Sequence, residues 1–517
     1  MPIRMVEDDN QSQPDNSPGG GGRRGGGGGN IGGGIIGALL MLLGKNPKLL
    51  IVVIVIAIAV YIFGGKGCMQ QVASMTFNTG ANFDPQQYDA TEIFEPLADN
   101  VKNPLPESIS LEKYCPTPGN QGQQGSCVGW GNAYCAGTVL EAERTGQDPD
   151  QIVFSPSFLY NQIGVQGCQG ALIEDAMQVM TKVGSFPLAQ FPYNDQDCST
   201  EPSQSQKQAA SQFRMYGYNR LTNGDTQEPD LLAIKQNLAQ GAPVVVGMMV
   251  GGSFMQDMVG REMWIPASSD YDMMGFGGHC MCIVGYDDYK FGTGTGNGAF
   301  LIQNSWGPEW GKNGRAWVRY KDFAYFAKEA YGVHPMGSAD KPLTDKLSVQ
   351  FGLIDNSTKQ NIPVEYKSGI TFETSSAIVK GTKFKMEVTN SLDCYTYIFA
   401  QDTDQSSYVL FPYTPKHSPY CGITGTRLFP KDYSMLADEF GNKDYMAIVV
   451  TKQPIDFKAL NESINSQQGS YEQRVSSALK NQLISEVRFD SDGANIRFET
   501  DDAKDGVVAM VIAVDKR

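Results

Sequence analysis

NQGQQGSCVGW, residues 120–130, decides the fold of this chain. It sets one cysteine, Cys127, behind a glycine-broken loop and at the start of a predicted helix. Gly125 and Ser126 suit a tight turn, and Trp130, Ala133, Ala136 and Leu140 recur at helical spacing. A thiol at a helix N-terminus faces unpaired N–H groups and the positive end of the helix dipole, which favours the thiolate. A cysteine taken alone is more often a core or disulfide residue, so the nucleophile reading needs partners elsewhere in the chain.

A cysteine nucleophile needs a base, and the chain has only three histidines, His279, His334 and His417. His279 lies in GGHCMCIVGYDDY, which reads as the start of a strand, and AFLIQNSWG follows as a second strand ending near Asn304. If the two strands pair around FGTGTGNG, facing residues have position numbers with a constant sum. Setting His279 opposite Asn304 gives a sum of 583 and centres the hairpin between Phe291 and Gly292. His334 and His417, followed by Pro and by Ser-Pro, read as surface residues.

Gln121, Cys127, His279 and Asn304, in NQGQQGSC, GGHCMCIVGY and NSWGPEWGKNG, resemble the papain-like cysteine peptidases. His279 follows Cys127 by 152 residues and Asn304 by 177, against the roughly 130–150 of that family. SPSFLYNQ (155–162), GCQGA (167–171) and FPYND (191–195) extend the resemblance over about residues 105–337. It implies an α+β fold, a two-lobed peptidase with a helical lobe and a β lobe. It also implies the roles. Cys127 attacks the scissile carbonyl, His279 holds and returns the proton, and Asn304 orients His279 with Trp306 shielding that contact. Gln121 donates to the oxyanion beside the Cys127 backbone N–H, and Gly170 and Ala171 line the substrate cleft. Three positions depart from the family pattern. Val128 stands where Trp is usual, Gln124 where a cysteine normally bridges to the position of Cys168, and Ala171 where a second glycine is usual. The expected disulfides are Cys168–Cys198 and Cys394–Cys421, with Cys115–Cys135 a looser pairing. Sequence spacing does not fix connectivity.

The 517 residues suffice for two or three domains. Net charge is −15, and residues 1–66 carry six Lys and Arg against four Asp and Glu, so the remainder holds 35 against 52. An acidic body repels phosphate backbones, which excludes nucleic acid as the expected partner. The three scattered histidines argue against a metal centre, and no cofactor is implied. All ten cysteines follow the long apolar run, a distribution that points to an oxidising compartment.

Residues 1–48 read as a disordered, glycine-rich cytoplasmic arm. Residues 49–65, LLIVVIVIAIAVYIFGG, are a candidate transmembrane helix at the short end of the usual length. Basic residues precede the run, so the expected topology is single-pass, with the N-terminus cytoplasmic and the catalytic domain extracytoplasmic. The apolar stretch at 31–44 is the alternative: if it enters as a hairpin with 49–65, the catalytic domain lies on the N-terminal side. Residues 66–104 read as a tether too short for a propeptide of the usual size. Residues 345–517 alternate in short apolar runs and read as a β-rich accessory domain with one helix near 471–486. The expected activity is membrane-anchored endopeptidase action on a peptide or protein substrate. The alternatives are a catalytically silent binding protein and acyl transfer to an amine.

Overall fold

The computed structural model describes residues 3–8, 79–98, 101–294, 296–337, 345–484, 487–501 and 503–517. The candidate membrane helix at 49–65 and the stretch at 31–44 lie outside them. Among the described residues, no helix is long and apolar enough to cross a membrane.

The first half of the body has two lobes, as the resemblance implies. A continuous helical run covers Cys127–Gly129, Trp130–Gly137 and Thr138–Thr145, its middle wound as a wider π turn. Local widening of this kind is often found at functional sites, and apolar spacing does not reveal it. Ser155 caps Pro156–Tyr160 from its side chain, with Pro156 at the first helical position. The amphipathic helix Ile173–Lys182 completes the helical lobe.

The other lobe is a sheet in the order Tyr218–Arg220, Ala327–Val333, Val244–Val250, Gly277–Asp287, Ala299–Gln303, Arg315–Arg319, Met263–Trp264, with Ser108–Ser110 also on Gly277–Asp287. Val244–Val250 is apolar throughout because both its faces are covered. Gly277–Asp287 and Ala299–Gln303 pair antiparallel, but with Ala299 opposite Asp287 and, beyond a bulge, Gln303 opposite Cys282. The position sum is therefore 586, then 585, not 583. His279 instead faces Met248 on Val244–Val250. The expected register fails because the strand ends at Gln303, and Asn304 reaches His279 from beyond the ladder.

The second half is a sandwich. One sheet orders Ile3–Glu7, Tyr433–Ala437, Lys383–Asn390, Leu347–Asp355, Ile496–Thr500, Arg488–Ser491. The other orders Val364–Ser368, Thr371–Thr374, Val507–Asp515, Lys443–Thr451, Cys394–Gln401, Ser407–Phe411. Alternation along one strand builds two cores. Ile398 and Ala400 face the opposite sheet, while Tyr397 and Phe399 meet Leu460, Ile464 and Val475. Those last three belong to two helices, Phe457–Ser466 and Tyr471–Leu479, where a single helix near 471–486 was expected. Gly469 at φ +106° and Ser470, which caps the second helix, break the run between them.

Residues 79–98 are no loose tether. Asp84 caps the helix Pro85–Ala90, and Tyr88 is buried on Tyr331 with its hydroxyl bonded to the Ala330 backbone. Ile93 bridges Arg220 of the peptidase half and His417 of the sandwich. Arg427 donates to the Glu95 carbonyl at 3.1 Å. His334 bonds Asn219 and meets the Tyr420 ring edge-on, so both extra histidines sit between the halves rather than on open surface.

Candidate active site

The helical run brings Cys127 to the lobe boundary, where its sulfur accepts the Cys280 backbone N–H at 3.4 Å. Cys280 follows His279, so this bond ties Cys127 to the histidine's own strand. His279 Nε2 donates to Asn304 Oδ1 at 2.7 Å. That bond occupies Nε2 and leaves Nδ1 without a partner at hydrogen-bond distance among the described residues. Trp306 stacks on the imidazole, with ring centroids 4.5 Å apart and planes inclined at 25°.

Gln121 is held from both ends. Ser305 Oγ donates to its Oε1 at 2.7 Å, and its Nε2 donates to the carbonyls of Gln124 at 2.9 Å and Thr79 at 3.3 Å. The nucleophile loop is fastened by Tyr193, whose hydroxyl lies 2.6 Å from Ser126 Oγ, 2.7 Å from the Gln121 carbonyl and 3.2 Å from Gln124 Oε1. Gln124 thus joins a hydrogen-bond network where the resemblance leads one to expect a disulfide. Cys168 instead bonds Cys198.

The cleft is filled by the chain itself. Residues 79–83 run through it, with Ala81 and Asn82 paired parallel to Ala171 and Leu172. The Ala171 N–H donates to the Gly80 carbonyl at 3.0 Å, and Thr79 Oγ1 donates to the Gly278 carbonyl. The approach is backbone on backbone. A Cβ on Gly278 would lie 2.1 Å from the Ala81 carbonyl oxygen, and one on Gly80, at φ +115°, 2.4 Å from that of Gly125. Gly170 and Ala171, expected to receive substrate, receive this segment.

Cys127 and His279 are both fully buried beneath it. Burial pushes the Cys127 thiol up to about 12, against the opposing pull of the Cys280 and Val128 N–H groups. Burial likewise pulls the His279 ring down to about 4, which the Asn304 bond and the Thr79 backbone only partly offset. Covered in this way, the pair is a neutral thiol and a neutral imidazole.

The structure therefore gathers Cys127, His279, Asn304, Gln121, Trp306, Gly170 and Ala171 around one cleft. Cys394 and Cys421 are directly opposed on neighbouring strands, yet are buried thiols sharing the Thr396 hydroxyl at 3.8 and 3.6 Å. Cys115 and Cys135 are also buried thiols. Among the described residues, no cluster of His, Cys, Asp or Glu is arranged to hold a metal. Ser305 was within reach of sequence reasoning, because it lies inside NSWG. Tyr193 lies inside FPYND, but Thr79 carries no sequence signal at all.

A two-lobed body with a buried cysteine, an asparagine-held histidine and an amide beside the thiol defines a class, the cysteine peptidases of papain type. Residues 106–333 match the model of the papain family cysteine protease, and this part of the chain is a papain-family cysteine protease domain, a hydrolase. The chain is 27% identical over 252 residues to an uncharacterized peptidase C1-like protein of Acanthamoeba polyphaga mimivirus, covering 48% of this chain and 74% of that one. It is also 27% identical over 243 residues to cathepsin K of Mus musculus, covering 46% of this chain and 66% of the relative. Among solved structures, xylellain, a cysteine protease from Xylella fastidiosa, aligns with TM-score 0.41 and 24% identity over 51% of this chain and 97% of its own.

Proposed function

We propose that the protein is a membrane-attached cysteine endopeptidase and that the closed cleft is its latent form. The observation that carries the reading is the 2.7 Å bond from His279 Nε2 to Asn304 Oδ1, with Cys127 tied to the adjacent residue. In the open site, Cys127 passes its proton to His279 Nδ1 and its sulfur adds to the scissile carbonyl carbon. Gln121 Nε2 and the Cys127 N–H receive the developing oxyanion. His279 then protonates the leaving amine, whose departure leaves a thioester. A water molecule, deprotonated by His279, adds to that thioester and releases the acid and the thiol. Asn304 keeps the Nε2–H anchored throughout, so Nδ1 handles every proton.

Latency rests on residues 79–83. Thr79 occupies the Gln121 amide, Gly80 occupies the Ala171 N–H, and burial keeps the catalytic pair uncharged. Substrate binding requires this segment to leave. Attachment to a membrane rests on the apolar run at residues 49–65.

Gly80→Val in the full-length chain tests the reading, because the added Cβ meets the Gly125 carbonyl and the backbone sits in the left-handed region. The expected result is peptide hydrolysis that disappears when Cys127→Ala is added. A folded Gly80→Val protein with no hydrolysis contradicts the reading. Adding an amine nucleophile separates hydrolysis from acyl transfer, and amide product in place of acid overturns the choice of water as acceptor.

A further inference from the structure

The sandwich carries a built receptor for a short extended segment. The strand Tyr433–Ala437 lies next to the rim of its sheet, and Ile3–Glu7 covers its outer edge in antiparallel register, from Ile3 opposite Ala437 to Glu7 opposite Tyr433. Main-chain pairing of this kind supplies affinity without sequence specificity. Specificity comes from the next residue. Asp8 Oδ2 accepts from Lys385 Nζ at 2.6 Å, and Asp8 Oδ1 accepts from Asn356 Nδ2 at 2.9 Å and Ser434 Oγ at 2.5 Å.

Lys385 is the telling residue, because its side chain is only 4% exposed. Its other acceptors are two carbonyls, of Pro430 at 3.1 Å and Lys431 at 2.6 Å. Those carbonyls satisfy two of the three ammonium hydrogens, and Asp8 supplies the third acceptor and the counter-charge. A buried ammonium left without its carboxylate is costly, so the pocket is built for an acid. Beside the ladder, Met5 lines a small cavity together with Met386, Phe429, Pro430 and Met435.

We propose that the Tyr433–Ala437 edge, with Lys385, Asn356 and Ser434, is a docking site for an extended segment ending in aspartate. Its occupant is residues 3–8 of the same chain, so the amino-terminal arm and the body lie on one face of the membrane. A chain whose residue 8 and residue 79 share a face crosses an even number of times in between. Given the membrane attachment proposed above, a single crossing does not satisfy this, and the intervening sequence holds two apolar stretches, 31–44 and 49–65. This inference is independent of the peptidase chemistry, and its test reads no activity.

Met5 faces Met435 in the register, and directly opposed antiparallel positions lie within disulfide reach. The full-length Met5→Cys/Met435→Cys variant is oxidised mildly in intact membranes, and the linked peptides are identified by mass spectrometry. The expected result is a crosslink within one chain, reduced about tenfold when Asp8→Asn or Lys385→Met is added. A crosslink between two chains overturns the assignment of the occupant. Failure to crosslink, with the single Met5→Cys and Met435→Cys variants labelled by an impermeant maleimide from opposite faces, overturns the shared-side topology. Asp8→Asn changes a partly exposed residue, so its effect is readable even if Lys385→Met does not fold.

Discussion

Two short extended segments from the amino-terminal part of the chain dock on the body, and they are held differently. Residues 79–83, none of them charged, lie in the peptidase cleft through main-chain hydrogen bonds and one threonine hydroxyl. Residues 3–8 lie on the sandwich edge through a five-residue ladder closed by the Asp8–Lys385 ion pair. The first contact covers titratable groups and keeps them neutral. The second supplies a charge to a group that burial would otherwise discourage, since burial pulls the Lys385 amine down while Asp8 pushes it up. One kind of strand pairing therefore gives one contact governed by steric fit and protonation at the thiol–imidazole pair, and another governed by a single carboxylate.

The largest expected effect lies at the cleft. In the Gly80→Val background, Cys127→Ala lowers peptide hydrolysis by about 10⁴-fold or more, while the crosslink at the sandwich edge stays unchanged. Next comes Gln121→Ala in the same background, which removes the proposed oxyanion donor and is expected to lower kcat by roughly 10²–10³-fold. An equal effect on KM alone would mean that Gln121 only positions substrate.

Acidification separates the two contacts. While covered, His279 stays neutral down to about pH 4, whereas an uncovered ring with the ordinary value of 6.5 takes up its proton earlier. The closed form is fully favoured above about 6.5 and loses ground as pH falls towards 4, because the open form binds the extra proton. Hydrogen exchange of the 79–83 amides, corrected for intrinsic rates, should rise by up to the order of 10² across that window. Exchange that is flat with pH breaks the link between burial of the pair and closure. The smallest effect is that of Asp8→Asn, which destabilises the sandwich by about 3 kcal/mol at most, since Asp8 is partly exposed. It lowers the melting temperature by a few degrees and leaves hydrolysis by the Gly80→Val protein unchanged.

What the sequence disclosed follows the same division. Cys127, His279, Asn304 and Gln121 were legible because they sit in local patterns whose chemistry dictates residue type. The helix beginning at Cys127 was legible from apolar spacing. The 583 register was not, because a bulge between Leu301 and Ile302 and the early end of the strand at Gln303 leave no periodic trace. The role of residues 79–83 was hidden for a related reason. Backbone hydrogen bonds hold them, and a backbone looks the same under any side chain. Tyr193 and Ser305 act through single hydroxyls aimed by tertiary packing.

The central claim is an assembled catalytic pair closed by the chain's own segment. The most direct test compares labelling of Cys127 by a thiol-directed epoxide, located by peptide mass spectrometry, in the full-length protein and in Gly80→Val. Slow labelling of the unaltered protein is expected. In Gly80→Val, labelling is expected to be at least tenfold faster, confined to Cys127, and lost on adding His279→Ala. Equal rates in the two proteins, or labelling spread evenly over Cys127 and the other buried thiols, would contradict it.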